Sequence, residues 1–317
     1  MGGALDPTVA TGRIAVQRTL ADLEPGARLV VGVSGGADSL ALAAVTAFVA
    51  DRGAYELRAV VVDHGLQQGS AGVAARAVEQ LAGLGVDAAV VPVAVGTEGG
   101  PEAAARTVRR AALEAAGADA VLLAHTLDDQ AETVLLGLGR GSGPRSIAGM
   151  PAVDGMWRRP FLTLRRADTE RICRAYDLEW WVDPHNSDPA YRRSRIRAEV
   201  MPLLEDVLGR GVAEALARTA DQVRADSALL DTLAAAVGSP LDVPTLAALD
   251  PALRSRVLRR AALAAGADPS ALGAVHLAGL DRLVTEWHGQ ARIELPGGVS
   301  AARTGNSLGF AATPVGQ

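Results

Sequence analysis

Three short polar strings carry the side chains through which this chain could do chemistry: SGGADS at residues 34–39, DHG at 63–65 and HTLDDQAET at 125–133. In the first, Gly35 and Gly36 are free to take positive φ and turn successive backbone N–H groups toward one point. Ser34 and Ser39 add hydroxyl donors, and a helix starting near Ala37 and Asp38 would add the positive end of its dipole. Such a loop is an anion cradle made without a side-chain cation, suited to holding the pyrophosphate part of a nucleotide while its α-phosphate is attacked. A plain tight turn into a helix is the simpler alternative. In the third string Asp129 and Glu132 stand three apart at the head of a helical pattern, so both carboxylates can face one cleft, orient an amine and take its proton. Acids in a first helical turn can also serve the dipole alone. Arg106 and Arg109 have the same i, i+3 spacing and would stabilise charge developing at a phosphate; otherwise they are a solvated helix face.

Composition narrows the chemistry. All 31 cationic side chains among the 317 residues are arginines. Without lysine there is no Schiff base, no lysine general base and no phosphate loop ending in GK[ST]. The single cysteine, Cys173, excludes an intrachain disulfide and any cysteine cage for zinc or an iron–sulfur cluster, and it fits a reducing compartment. The amino-terminal stretch lacks the apolar core of a signal peptide, and the longest apolar run, Leu40 to Ala50, is too short to span a bilayer. A cytoplasmic protein with no membrane partner is expected. The net charge of −5 hides a split: residues 140–197 carry 12 arginines against 7 acids, while the segments on either side are acidic. A local basic stripe can neutralise phosphates whatever the overall sum. That makes Arg158, Arg159, Arg165 and Arg166 candidate contacts to a nucleic acid.

The length and the 49% apolar fraction suggest two domains. Arg28 to Val33, Leu57 to Val62, Asp87 to Val93 and Ala120 to Ala124 read as strands; Asp38 to Asp51, Gly69 to Leu84 and Pro101 to Ala116 read as helices between them. Near-continuous apolar strands in strict βα alternation predict a doubly wound α/β domain with a parallel sheet, Rossmann-like in its layout. Ligands of such sheets bind outside the carboxyl ends of the strands, which is where all three polar strings fall. Gly209 and Gly211 mark a boundary, giving domains 1–210 and 211–317, the second mainly helical with a short β-like stretch at Ala291 to Leu295.

The full string SGGxDS resembles the pyrophosphate loop of the ATP-pyrophosphatase (PP-loop) superfamily, whose members activate an oxygen by adenylation. Four further segments are similar to the tRNA(Ile)-lysidine synthetases: VDHGL, AARTVRR at 104–110, HTLDDQAETVLLGLGRGSG, and the long run from RPFLTLRRADTERICRAY through WWVDPHNSDPAYRRSRIRAEVMPLL. The resemblance covers roughly residues 25–208. It implies a PP-loop catalytic domain and a small tRNA-binding domain after it. It also implies an ATP-dependent ligase that adenylates the O2 side of the wobble cytidine in tRNA(Ile) with a CAU anticodon. Free L-lysine then displaces AMP at C2.

By this resemblance Ser34, Gly35, Gly36, Ala37 and Ser39 would hold the phosphates of ATP, Asp38 would help bind Mg²⁺ or position the reacting groups, and Asp63 and His64 would lie near the adenosine. Asp129 and Glu132 would serve the lysine, and Arg106 and Arg109 the α-phosphate or the adenylated base. Arg193, Arg195 and Arg197 occupy the family's arginine-rich stretch, where Ser194 replaces the usual asparagine. His125 would orient its strand end and border the nucleotide, and Trp180 and Trp181 would pack under a loop. A homodimer is left open. A tRNA thiolase of the same superfamily generally needs paired cysteines or a cluster, which Cys173 alone cannot supply; a nucleotide-sensing module without turnover is the alternative of another class.

Overall fold

The apolar runs become strands because both faces of each are covered. Leu29, Val31 and Val33 are buried in one cluster with Ala59, Val61, Leu122 and the Ala/Leu-rich segment 40–50, while Val30 joins Val60, Val121, Leu113 and Trp157 in another. Each such Val or Leu contributes roughly 1.5–3 kcal/mol of burial, so the alternation along six residues fixes the register of the central strand. The computed structural model describes residues 5–65, 69–94, 96, 101–141, 143–184, 188–238, 241–290 and 292–313. It divides into two compact units, Met1–Thr133 with Met150–Ala217, and Val134–Gly149 with Arg218–Gln317.

The first unit runs α1 (Pro7–Thr19), β1 (Arg28–Val33), α2 (Ala37–Gly53), β2 (Glu56–Asp63), α3 (Ser70–Gly83), β3 (Asp87–Pro92), α4 (Pro101–Glu114), β4 (Ala120–Leu122) and the start of α5 (Leu127–Arg140). After α6 (Pro144–Ile147), which belongs to the second unit, it resumes with β5 (Val153–Asp154), β6 (Trp157–Arg158), α7 (Arg166–Ala175), α8 (Arg192–Arg195), a π-helical turn (Ile196–Val200) and α9 (Met201–Leu208). Among the described residues the sheet has six strands in the order β3-β2-β1-β4-β6-β5, parallel except for β5. The order reverses between β1 and β4, and a crevice opens where their carboxyl ends diverge.

The strands and helices expected from the sequence are present, with ends shifted by a residue or two. The strands β5 and β6 have two residues each, too short to leave a periodic pattern. Helix α1 is held at its start by Asp6, whose carboxylate accepts from the N–H of Thr8 at 2.7 Å, with Pro7 in the first turn.

The second unit continues with α10 (Val212–Ala236), which starts in the first, then α11 (Val243–Ala248), α12 (Pro251–Ala264), α13 (Ala274–Thr285), β7 (Ile293–Leu295), β8 (Val299–Thr304) and β9 (Ser307–Ala312). The division falls after Ala217, inside α10, where the sequence suggests a cut at 210; Gly209 and Gly211 do turn the chain, with φ of +92° and +93°. The β-like stretch expected at Ala291 to Leu295 begins at a residue outside those described, and β7 takes up its last three residues. It pairs antiparallel with β8, which pairs antiparallel with β9; neither strand is expected from the sequence reading, although Gly305-Asn306 between two short runs is a hairpin signal, and Gly305 has the φ of +59° that such a turn needs. Among the described residues no helix is long and apolar enough to cross a membrane.

Helices α2 and α7 pack together, and at their contact Cys173 is fully buried, its thiol donating to the carbonyl of Ala37 at 3.2 Å. Burial, with Asp38 nearby, pushes this thiol up to about 12. At pH 8 only about one molecule in ten thousand then carries the thiolate. A thiol reagent is therefore expected to label Cys173 after denaturation and not in the native protein; fast labelling of the folded chain would contradict this packing.

Candidate active site

Between the end of β1 and the start of α2, Ser34, Gly35 and Gly36 make a turn with little room around it. Gly35 sits at φ +80°, and a Cβ there would lie 2.8 Å from Cγ1 of Val73 on α3. Gly36 corrects the expectation of two left-handed glycines: it is extended, with φ −80° and ψ 161°, as the residue that caps α2. The Ser39 hydroxyl accepts from the N–H of Ser34 at 3.1 Å and donates to the carbonyl of Gly36 at 3.0 Å, so it ties the loop to the first turn of the helix. The carbonyl of Gly35 accepts from the N–H of Trp181 at 2.9 Å. The loop is thus preshaped, with its helix amino terminus opening on the crevice.

On the other side of the crevice α5 begins with reciprocal caps. Asp129 accepts from the N–H of Thr126 at 2.8 Å and its hydroxyl at 3.0 Å, while the N–H of Asp129 donates back to that hydroxyl at 3.4 Å. The second oxygen of Asp129 meets the guanidinium of Arg166, which also reaches Glu132 at 3.3 Å and Asp38 at 3.7 Å. Arg197 grips Glu132 at 2.8 Å, and Arg193 lies 3.8 Å from Glu132 and donates to Thr133 at 3.4 Å. Arg165 pairs with Asp128 at 3.0 Å and Glu214 at 2.8 Å. The acids 38, 128, 129 and 132 therefore stand among the arginines 165, 166, 193 and 197.

These surroundings set the charge states. Burial pushes Asp38 up to about 6, against the opposing pull of Thr169, which donates its hydroxyl to the carboxylate, and of Arg166. Burial acts on Asp129 in the same sense, but Arg166 and the two Thr126 donors outweigh it and hold Asp129 below the usual carboxylate range. Burial brings His125 down to about 3, opposed by Asp129 and helped by Arg109, Arg159 and Arg106. Its ring is neutral at pH 7, and its Nδ1 is a buried atom with no hydrogen-bond partner. Arg109 is lowered by burial and then by its neighbour Arg106, and His64 by burial and Arg109.

The two sides enclose a cleft of about 720 Å³, a size typical of small-molecule sites. Ser34, Gly36, Ala37, Asp38, Ser39, Asp63, His64, Arg106, Arg109, His125, Asp129 and Arg193 line it, which brings most of the sequence-derived candidates together. Gly35 supports the loop from behind. Glu132 is the clear departure: it is 1% exposed and opens only on an adjoining cavity of about 210 Å³ with Arg166 and Arg197. Arg195 turns away and pairs with Glu199 at 2.8 Å. Trp180 packs on the main core, as expected, and both it and Trp181 form cleft wall.

Two expectations for the basic stripe fail. Arg158 and Arg159 are 3% and 4% exposed, bound to Asp22 at 2.8 Å and to the carbonyl of Pro151 at 2.9 Å. Arg165 and Arg166 are tied to carboxylates, so this set is no open surface for phosphates. Thr169 is a cluster residue that the sequence reading missed, and Arg166 is one that it placed on a basic stripe instead of among the acids. Their partners lie 34 to 131 residues away, and no local spacing announces such pairs.

Residues 11–204 match the family model of the PP-loop domain, and residues 241–308 that of the TilS substrate binding domain. The tRNA(Ile)-lysidine synthase of Thermobifida fusca is 53% identical, over 92% of this chain and 94% of that protein. The enzyme of the same name from Streptomyces coelicolor is 54% identical over 90% and 85%. Among solved structures, the U34-tRNA thiolase NcsA from Methanococcus maripaludis with its [4Fe-4S] cluster is similar at a TM-score of 0.57 and 19% identity, covering 68% of this chain and 79% of that one. That likeness concerns the fold alone.

The raised value of Asp38 gives a test by pH. Folded protein binds this proton more tightly than the unfolded chain, so the stability Asp38 contributes is complete below about pH 4 and is lost as the pH rises through about 6. Asp38→Asn should gain on the wild type across that interval, by on the order of 3 kcal/mol at pH 7. Thermal melting of both proteins from pH 4 to 7.5 checks this, and a constant difference between them would contradict it.

Proposed function

The chain belongs to the tRNA(Ile)-lysidine synthase family, and we propose that its cleft joins free L-lysine to the wobble cytidine of a tRNA(Ile) with a CAU anticodon, at the expense of ATP. The observation that carries this reading is the meeting in one cleft of a glycine- and serine-lined loop at a helix amino terminus with the half-buried Asp38, Asp129, Arg166, Arg193 and Arg197. In the first step the O2 of cytidine attacks the α-phosphorus and pyrophosphate leaves. In the second the amine of lysine attacks C2, gives up a proton, and AMP leaves.

Ser34 to Ser39 would hold the phosphates through backbone N–H groups and the amino terminus of α2. Asp63 and His64 would border the adenosine. Arg106 and Arg109 would face the charge that grows at the α-phosphate; the half-buried Arg109 is worth more there than a solvated cation would be. His125, neutral at working pH, can give or accept a hydrogen bond but cannot supply a positive charge.

Asp129 is the carboxylate for the lysine. An acid held below its usual range is a weak base but a good counter-ion, so it would bind an ammonium group rather than remove its proton. Arg166 already occupies one of its oxygens, and the incoming ammonium must share Asp129 with it or displace it. Glu132 would act one layer back, holding Arg166, Arg193 and Arg197 in place.

The donor set suits Mg²⁺ only as a companion of the nucleotide. Asp38 offers one half-buried carboxylate beside the loop, and among the described residues no group of three metal-binding side chains exists. The ion commonly takes one or two carboxylates with phosphate oxygens, and Asp38 would be its protein ligand. When bound, it would neutralise charge on the departing pyrophosphate.

We assign tRNA discrimination to the second unit, which contains the matched substrate-binding segment, and the reaction to the cytoplasm, where its three substrates occur together. The test is AMP release with ATP, lysine and a CAU-anticodon tRNA, each omitted in turn. Full release without lysine would contradict the two-step reading, and equal activity on elongator methionine tRNA would contradict the specificity. Asp129→Asn should lower kcat/KM for lysine by roughly 10- to 100-fold, the worth of one charge-assisted contact.

A further inference from the structure

Gln80 lies on α3, outside the cleft, and the geometry points to it as a positioning residue for the phosphate loop, an inference that rests on the nucleotide reading of Ser34–Ser39. Its side-chain amide bonds both backbone groups of one residue: Nε2 donates to the carbonyl of Glu179 at 2.8 Å, and Oε1 accepts from the N–H of Glu179 at 2.7 Å. Glu179 belongs to residues 178–183, a stretch without regular secondary structure that must find partners for its polar backbone elsewhere. Two residues on, the N–H of Trp181 donates to the carbonyl of Gly35.

That last bond sets the orientation of a peptide group. In a trans peptide the C=O and the next N–H point in opposite directions. With the carbonyl of Gly35 held toward Trp181, the N–H of Gly36 is turned away from it, and Gly36 borders the cleft. An amide left free to rotate would present its carbonyl to an anion in a fraction of molecules, and would have to reorder on binding. Gln80 therefore acts through two links, from its own amide to Glu179 and from Trp181 to Gly35. Helix α3 braces the same loop a second time, where Val73 fills the space a side chain on Gly35 would need. The residue at position 80 must both donate and accept: glutamate loses the donor and lysine the acceptor. Position 179 takes part through its backbone alone, so its side chain is not constrained by this contact.

The test uses the full chain. Gln80→Met keeps the side-chain length and removes both bonds; Glu79→Ala, on the exposed part of the same helix, is the control. Calorimetric Kd values for ATP and for inorganic pyrophosphate should weaken about five- to tenfold in Gln80→Met, the effect of one or two lost hydrogen bonds. The KM for lysine and the melting temperature should stay close to those of wild type and of Glu79→Ala. Unchanged Kd values in Gln80→Met would overturn the inference alone. A variant that loses lysine and ATP affinity together with melting temperature would also overturn it, by showing a merely structural role. Wild type that binds neither polyphosphate would overturn the nucleotide reading of the loop, and this inference with it.

Discussion

A guanidinium with three carboxylates in reach, Asp38 from α2 and Asp129 and Glu132 from α5, is the interaction on which the arrangement of the cleft depends. Removing ionised groups from water is affordable only when the partners come in matched sign and number and the lone pairs are used. Arg166 meets that condition from the first turn of α7, and its own N–H donates to Asp128 at 2.9 Å. A planar cation with five donors can serve several acids at once, which the compact ammonium of lysine would do less well. The sheet brings the ends of β1 and β4 side by side, and this cation bridges side chains of α2 and α5 from the first turn of α7.

Electrostatics then divide the acids by role. Asp129 is held ionised by its cap and its arginine, whereas Asp38, with one hydroxyl donor and a more distant guanidinium, is left poorly compensated. A carboxylate kept in that state destabilises the fold at neutral pH, and such sites are where a polyphosphate with its cation gains most on entry. Glu132 is absent from the cleft lining, yet without it the half-buried Arg197 and Arg166 would each lose an ionic partner.

What could be read from the sequence follows the range of the interactions. The strands, the loop of residues 34–39 and the capped start of α5 depend on neighbours within a few positions, and their residue types declare them. The turn at that loop was legible because glycines and hydroxyls between a strand and a helix favour a tight entry into the helix. The partners of Arg166 lie far off in sequence, so it looked like one more cation in a basic stripe. Arg158 and Arg159 misled for the same reason: burial is decided by β5 and β6, two strands too short to show a period. Gly36 differed from expectation because the helix that it caps fixes its ψ before any ligand does.

The wall formed by Trp180 and Trp181 has an optical consequence. The chain has only four tryptophans, and two of them border the cleft, one joined through its backbone to the loop of residues 34–39. Half of the tryptophans of this protein therefore line the cleft. The wall that shapes the cleft is also a built-in reporter of its occupancy, readable without any label.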